Sequence, residues 1–262
     1  MSRAAATVEP VCLLALPGFA AGASVFEPLK TRIRSPLSLV AVDLPFSAVG
    51  AIAPARALTE LAAECARSRS GPAVWIGWSL GGLVALRAAH LFPEQVTGVV
   101  TIGIGPRFVA APDWPNALAD ADFARFEAQL RKDPDKALGR FFALQTHTRN
   151  GPSPALSRRL RQLALSDRHV APAVLEQSLA ILRRADLRTQ AAALCCPLMT
   201  VLGEDDALVP SAVCEDLVRL NPDWRVEIIE AAGHAPFVSH PDDTLRLIES
   251  FAAAPGLSRG AA

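Results

Sequence analysis

Gly77-Trp78-Ser79-Leu80-Gly81-Gly82 is the stretch on which the reading of the fold turns. It follows an apolar run at 73–76 with the look of a buried strand, and it opens an alternately packed run at 82–91 that reads as helix. A serine with a glycine two residues to either side, set between strand and helix, matches G-x-S-x-G. Such a turn holds its serine in a strained backbone conformation, and the glycines remove side chains that would collide with it. The helix that follows aims its first N–H groups at any negative charge developing beside the serine. Three fixed positions alone would match in about a tenth of chains this long, so the flanking strand and helix carry the weight.

Outward from this turn, short apolar runs alternate with longer amphipathic segments. Residues 11–16, 39–42, 73–76, 96–102, 198–202 and 226–229 read as strands; 56–67, 82–91, 211–220 and 242–253 read as helices. This alternation predicts an α/β fold, a mostly parallel sheet with helices on both faces. Too few residues precede Val11 for an opening antiparallel hairpin, so the sheet is expected to be trimmed at that edge. The alternation stops between 106 and 188, where the patterns at 123–131, 137–144, 156–163 and 174–182 are helical. The expected organisation is a core of 1–105 and 189–262, with 106–188 inserted as a helical cap over the sheet's C-terminal edge, where open α/β sheets bind ligands.

Composition narrows the function class. With 262 residues, 51% hydrophobic and 20% charged, the chain can bury one large core. Its zero net charge gives no reason to expect nucleic acid or an anionic membrane as partner. Cys12, Cys65, Cys195, Cys196 and Cys214 form neither a zinc spacing nor a disulfide framework, which suits buried thiols in a reducing compartment. The N-terminus loosely imitates a signal peptide, but Glu9 and Pro10 interrupt it, and cleavage near Ala23 would remove a strand and loop that the catalytic reading needs. A cytoplasmic protein, a monomer, with no metal and no cofactor is expected.

Ser79 becomes a nucleophile only if a base takes its proton. Of His90, His147, His169, His234 and His240, His234 stands in a loop directly after the last strand, at the same sheet edge as Ser79. The base in turn needs a carboxylate to hold its tautomer. Glu204, Asp205 and Asp206 follow the strand at 198–202, in the chain order serine, acid, histidine; position alone does not choose among them. Oxyanion donors are expected from the backbone N–H of Leu80 and, after the first strand, of Phe19 in Leu16-Pro17-Gly18-Phe19.

These residues resemble a known family. Residues 75–85, Phe141-Phe142-Ala143-Leu144-Gln145-Thr146, the segment 181–188, Leu208-Val209-Pro210 and the segment 233–241 together look like the pimeloyl-[acyl-carrier protein] methyl ester esterases of biotin synthesis, within the α/β-hydrolase superfamily. The cap segments are the specific part. The resemblance implies a carboxylesterase with Asp206 as triad acid. It also implies substrate contacts at Phe19, Ser79, Leu80, Phe141, Phe142, Ala143, Leu144, Gln145 and His234. One departure stands out: Pro17-Gly18 where the family usually has His-Gly.

Between 137 and 170 stand Arg140, Arg149, Arg158, Arg159, Arg161 and Arg168 against the single acid Asp167. An exposed basic face there, with Arg140, Arg158 and Arg159 foremost, would suit an acidic acyl-carrier protein. Two other readings use the same residues: a broader esterase, thioesterase or C–C hydrolase on small acyl substrates, and a binding protein that has lost catalysis. Haloalkane-type chemistry would want an aspartate at 79.

Overall fold

The computed structural model describes residues 11–50, 52–166, 170–254 and 257. Six strands, β1 (Val11–Leu16), β2 (Leu37–Ala41), β3 (Ala73–Trp78), β4 (Val96–Ile102), β5 (Leu198–Gly203) and β6 (Arg225–Ile229), form one sheet in the order β2-β1-β3-β4-β5-β6. Every pairing is parallel. Parallel neighbours need crossovers, and these supply the helices: α1 (Glu27–Lys30), α2 (Phe46–Val49), α3 (Pro54–Arg67), α4 (Leu80–Leu91), then α5 (Asp120–Lys132), α6 (Pro134–Gln145), α7 (Pro154–Leu165), α8 (Pro172–Arg184) and α9 (Arg188–Ala192), then α10 (Val213–Leu220), α11 (Pro236–Ser239) and α12 (Pro241–Ala252). No helix among the described residues is long and apolar enough to cross a membrane.

The central strands β3 and β5 are buried at every position, which is why they read as unbroken apolar runs. The edge strands β2 and β6 leave Val40 and Ile228 half exposed. All six strands expected from sequence are present. Two run further at their C-terminal ends, to Trp78 and Gly203, β2 is displaced to Leu37–Ala41, and β6 begins one residue earlier at Arg225. Glycine usually signals a strand's end, but Gly77 is paired on both sides, with Leu16 of β1 and Thr101 of β4. Similarly α4 starts at Leu80 rather than 82, directly after Ser79, whose carbonyl accepts the Gly82 N–H at 2.8 Å.

Strand order decides where a site can form. The chain runs outward from β1 to β2, returns past β1 to β3, and continues the other way to β6. The loops leaving β1 and β3 therefore part at the sheet's C-terminal edge and leave a crevice between them. Over this edge lie α5 to α8, between β4 and β5. Proline at the start of α6, α7 and α8 fixes φ where the missing N–H has no helical acceptor to lose. The Asp133 carboxylate caps α6 by accepting the Lys136 N–H at 3.1 Å.

The chain enters and leaves this helical layer through a narrow neck. Leu187 N–H donates to the Pro106 carbonyl at 2.9 Å, and Arg107 bridges to Asp186. The Asp186 carboxylate receives Arg107 at 2.7 Å and two nitrogens of Arg188 at 2.9 and 2.7 Å, while Arg188 also reaches Asp113 at 2.9 Å and lies over the Trp114 ring. Hydrogen bonds from Arg188, and then from Arg107, hold the Asp186 carboxyl down to about 2 against the cost of its partial burial. A carboxylate whose pKa is lower folded than unfolded stabilises the fold above the unfolded value, about 3.9. That contribution fades as pH falls from there through about 2. Asp186→Asn is therefore expected to flatten the acid limb of a plot of Tm against pH in that window; an unchanged acid limb would mean the neck is held by other contacts.

Candidate active site

Ser79 occupies the turn between β3 and α4 with φ of +51°. For a residue with a side chain this left-handed geometry costs about 1–3 kcal/mol, and it persists only where the surroundings enforce it. Here they do: Ser79 N–H donates to the Ile102 carbonyl of β4 at 2.9 Å, and the start of α4 is pressed onto the end of β1. A Cβ at Gly81 would collide with the Leu16 carbonyl oxygen, and one at Gly77 with the Gly81 carbonyl. The flanking glycines thus permit backbone to meet backbone where any side chain would hold the turn open.

The loop after β1 crosses this turn. A Cβ on Gly18 would stand 3.2 Å from Ser79 Cβ and 3.0 Å from the Trp78 ring. Phe19 then turns its side chain into the cavity that Ser79 also lines. Leu80, the first residue of α4, carries an N–H that has no acceptor inside the helix. The structure thus brings the Gly18 end of this loop and the N–H of Leu80 close to Ser79.

His234 is completely buried and held from three directions. Its N–H donates to the Gln145 carbonyl at 2.9 Å, its carbonyl accepts Trp78 Nε1 at 2.9 Å, and its ring Nδ1 meets Asp206 Oδ2 at 2.7 Å. Of the three consecutive carboxylates, Asp206 is the one that reaches the imidazole. Its other oxygen accepts the N–H groups of Leu208 and Val209 at 2.8 and 3.0 Å. A carboxylate so occupied takes the proton of Nδ1–H as a hydrogen-bond acceptor, which leaves the Nε2 lone pair as the base. Nε2 is buried without a hydrogen-bond partner among the described residues. A buried polar nitrogen left so is uncommon and points to a role outside the resting fold. Of the other histidines, His90 and His147 are exposed, His240 bonds Ser239, and His169 lies outside the described residues.

Above Ser79 lies a cavity of about 340 Å³. Phe19 packs edge-on to Phe126 and Phe141, whose rings stack at 4.9 Å. Phe123, Leu179 and Leu208 complete much of the apolar wall, and Arg125, Gln129 and Arg140 bring polar groups to it. Of the expected substrate contacts, Phe19, Ser79, Phe141 and Leu144 line this cavity. Phe142 is wholly buried elsewhere and Ala143 is exposed, because only positions three or four apart share a helix face. Leu80, Gln145 and His234 are buried outside the lining, and Gln145 offers its backbone carbonyl to His234. The sequence reading did not single out Phe123, Phe126, Leu179 and Leu182. Their spacing of three within α5 and α8 was the available signal, but it marks any inward helix face.

Arg140, Arg158 and Arg159 are exposed, and none makes an ion pair among the described residues. Arg149 is different: it is engaged with Glu204 and Asp205, so it does not belong to a free basic face. Arg168 and Asp167 lie outside the described residues.

Ser79 Oγ and His234 Nε2 are not hydrogen-bonded to each other in this structure, but a serine, an imidazole and a carboxylate in these positions suit acyl transfer once Nε2 reaches the hydroxyl. Ser79→Ala and His234→Ala are each expected to lower kcat on a short-chain chromogenic ester by at least roughly 10³-fold, and Asp206→Asn by about 10⁴-fold, with the melting profile retained. Near-normal turnover in any folded variant would remove that residue from the chemistry.

Comparison with known proteins agrees with this geometry. The model of the alpha/beta hydrolase family matches residues 13–247. The pimeloyl-[acyl-carrier protein] methyl ester esterase of Xanthomonas axonopodis pv. citri is 39% identical over 246 residues, 92% of this chain and 94% of that one. The protein of the same name from Yersinia pseudotuberculosis serotype O:1b is 36% identical over 241 residues, 92% of each chain. Among solved structures, a bromoperoxidase from Bacillus anthracis superposes with a TM-score of 0.82 at 16% identity over 94% of this chain and 92% of that one. An esterase from Exiguobacterium antarcticum gives 0.79 at 18% over 94% and 93%; at these identities the likeness concerns the fold alone. With a strained serine turn, an Asp206–His234 pair and relatives matched almost end to end, the chain belongs to the α/β-hydrolase family and, within it, to the pimeloyl-[acyl-carrier protein] methyl ester esterases.

Proposed function

We propose that this protein is a carboxylesterase that removes the methyl group from pimeloyl-[acyl-carrier protein] methyl ester, through an acyl-enzyme on Ser79. The observation that carries the reading is the cavity: Ser79 lines it together with aromatic and aliphatic side chains and the exposed Arg140. An apolar slot of about 340 Å³ suits an unbranched acyl chain and lies at the small end of ligand pockets. The relatives bearing this substrate in their name match nearly the whole chain.

In this reading Ser79 Oγ attacks the ester carbonyl carbon while His234 Nε2 takes its proton. The carbonyl oxygen becomes an oxyanion that accepts hydrogen bonds from the N–H groups of Phe19 and Leu80. Asp206 stabilises the imidazolium without itself taking the proton. Collapse of the tetrahedral intermediate breaks the bond to the methoxy group, which receives the proton from His234 and leaves as methanol. Water, deprotonated by His234, then attacks the acyl-enzyme and frees the carboxylate, and Ser79 recovers its proton. The apolar walls keep the site dry, which strengthens each of these electrostatic contacts. Residues 106–188 act as the cap that encloses the acyl chain. We take the enzyme to be a cytoplasmic monomer; its five free cysteine thiols suit a reducing compartment.

The carrier protein is read at the rim. We infer that Arg140 on α6 and Arg158 and Arg159 on α7, two helices that pack together, attract an acidic carrier. Exposed charges of this kind act on encounter and are screened by salt. Replacing Arg158 and Arg159, which do not line the cavity, by alanine is expected to raise KM for the carrier-linked ester several-fold at low ionic strength, less at high, and to leave kcat on a free short ester unchanged. Methanol release from the carrier-linked ester by the wild-type protein is the direct test of the substrate. Failure there, with free esters still hydrolysed, would leave a broader esterase; equal effects of the arginine changes on both substrates would remove the docking face.

A further inference from the structure

Beneath the cap, three segments distant in sequence are laced into one knot: the acid turn 203–206, the histidine loop 230–234, and residues 145–149 where the chain leaves α6. Glu204 N–H donates to the Ile229 carbonyl at 3.0 Å and Asp205 N–H to the Ala232 carbonyl at 2.9 Å. The Glu204 carboxylate accepts the Ala231 N–H at 3.1 Å. A Cβ on Gly203 would collide with the Gly233 carbonyl oxygen, so the acid turn and the histidine loop touch backbone to backbone. The third side is closed from the cap. His234 N–H donates to the Gln145 carbonyl, and four residues on Arg149 grips the acid turn: its backbone N–H and its Nε each donate to the Asp205 carboxylate at 3.0 Å, while its guanidinium also pairs with Glu204.

We infer that Arg149 is a positioning residue for the reaction, holding Glu204 and Asp205 so that the turn presents Asp206, and not a neighbouring carboxylate, to His234. Three successive carboxylates repel one another, and a histidine loop that must approach one of them has no intrinsic reason to select the third. Arg149 removes two from the competition. It binds Asp205 with its backbone N–H on one carboxylate oxygen and Nε on the other, with that side chain only 11% exposed, and leaves Asp206 to its own N–H donors and the imidazole. Because Arg149 follows directly on the helix whose Arg140, Phe141 and Leu144 line the cavity, the same clasp ties cap placement to the geometry of the acid and base. The inference rests on the reading of Ser79, His234 and Asp206 as the catalytic set.

The test uses the full chain with Arg149→Gln, Arg149→Lys and Asp205→Asn, and Ser79→Ala as reference. On a small uncharged ester, Arg149→Gln is expected to lower kcat on the order of tenfold with KM little altered, since sub-ångström displacement of a catalytic pair acts on the rate. Asp205→Asn should fall in the same range. Lysine should restore part of the loss, because a compact ammonium supplies the charge but not separate donors for Glu204 and Asp205. Tm should barely move, as the arginine is half exposed and such pairs add little stability. The deshielded proton shared by His234 Nδ1 and Asp206 gives a spectroscopic reading: its resonance should shift or broaden in Arg149→Gln relative to wild type. Wild-type kcat and an unmoved resonance in Arg149→Gln, with Ser79→Ala inert, would overturn the clasp and leave the catalytic set standing. A rise in KM alone would also overturn it, as a substrate-binding role. Activity surviving in Ser79→Ala would instead sink the catalytic set. Should Arg149→Gln not fold, the lysine and Asp205→Asn variants carry the same comparison.

Discussion

The parallel pairing of β1 with β3, which sets Leu16 opposite Gly77, is the constraint on which the site depends. It brings the end of one strand against the start of the helix that follows the other. The approach is close enough that only glycine fits at 77 and 81. From that contact follow the left-handed backbone at Ser79 and the close crossing of Gly18 over the serine. A sheet with the same strands in another order would keep the core and lose the crevice.

The fold carries local costs at this place. A strained serine backbone and a buried imidazole nitrogen without a partner each cost about 1–3 kcal/mol. Against a typical net stability of about 5–15 kcal/mol these are large, and they must be offset by the layers around them. Trp78 contributes twice, burying its indole completely and donating Nε1 to the His234 carbonyl. Phe237 packs edge-on to Trp78 and against Phe26, so the histidine loop is held by apolar packing as well as by hydrogen bonds.

Charge is used differently at the two ends of the helical layer. At the neck, Asp186 sits between Arg107 and Arg188 and fastens the entering chain to the leaving one. At the base, Arg149 meets Glu204 and Asp205 beside the acid turn. Arg140, Arg158 and Arg159 have no such partners among the described residues and stay in solvent. Arginines that count alike in a composition therefore divide into fasteners and free surface charge, and only their neighbours in space separate them.

Local pattern was enough to mark the six strands, the alternation of helices, the serine turn and the histidine that an acid of the β5 turn contacts. Each depends on residues within one turn or one strand, where burial on both faces, glycine spacing and chain order leave a direct trace in sequence. Strand and helix limits beyond Ile76 and before Gly82 escaped that reading, because Gly77 behaves as a strand residue only when both neighbours pair with it. The residues alone left three carboxylates open beside one histidine; resemblance pointed to Asp206, and its 2.7 Å contact with Nδ1 exists only in the folded chain. The cavity wall was equally hidden. Phe123, Phe126 and Leu179 share a period with every inward helix face, and which face meets Ser79 is set by the way α5 to α8 pack over the sheet. Arg149, 55 and 56 residues from its two acidic partners, leaves no trace in sequence at all, since an ion pair between distant segments is decided by tertiary contact and not by spacing.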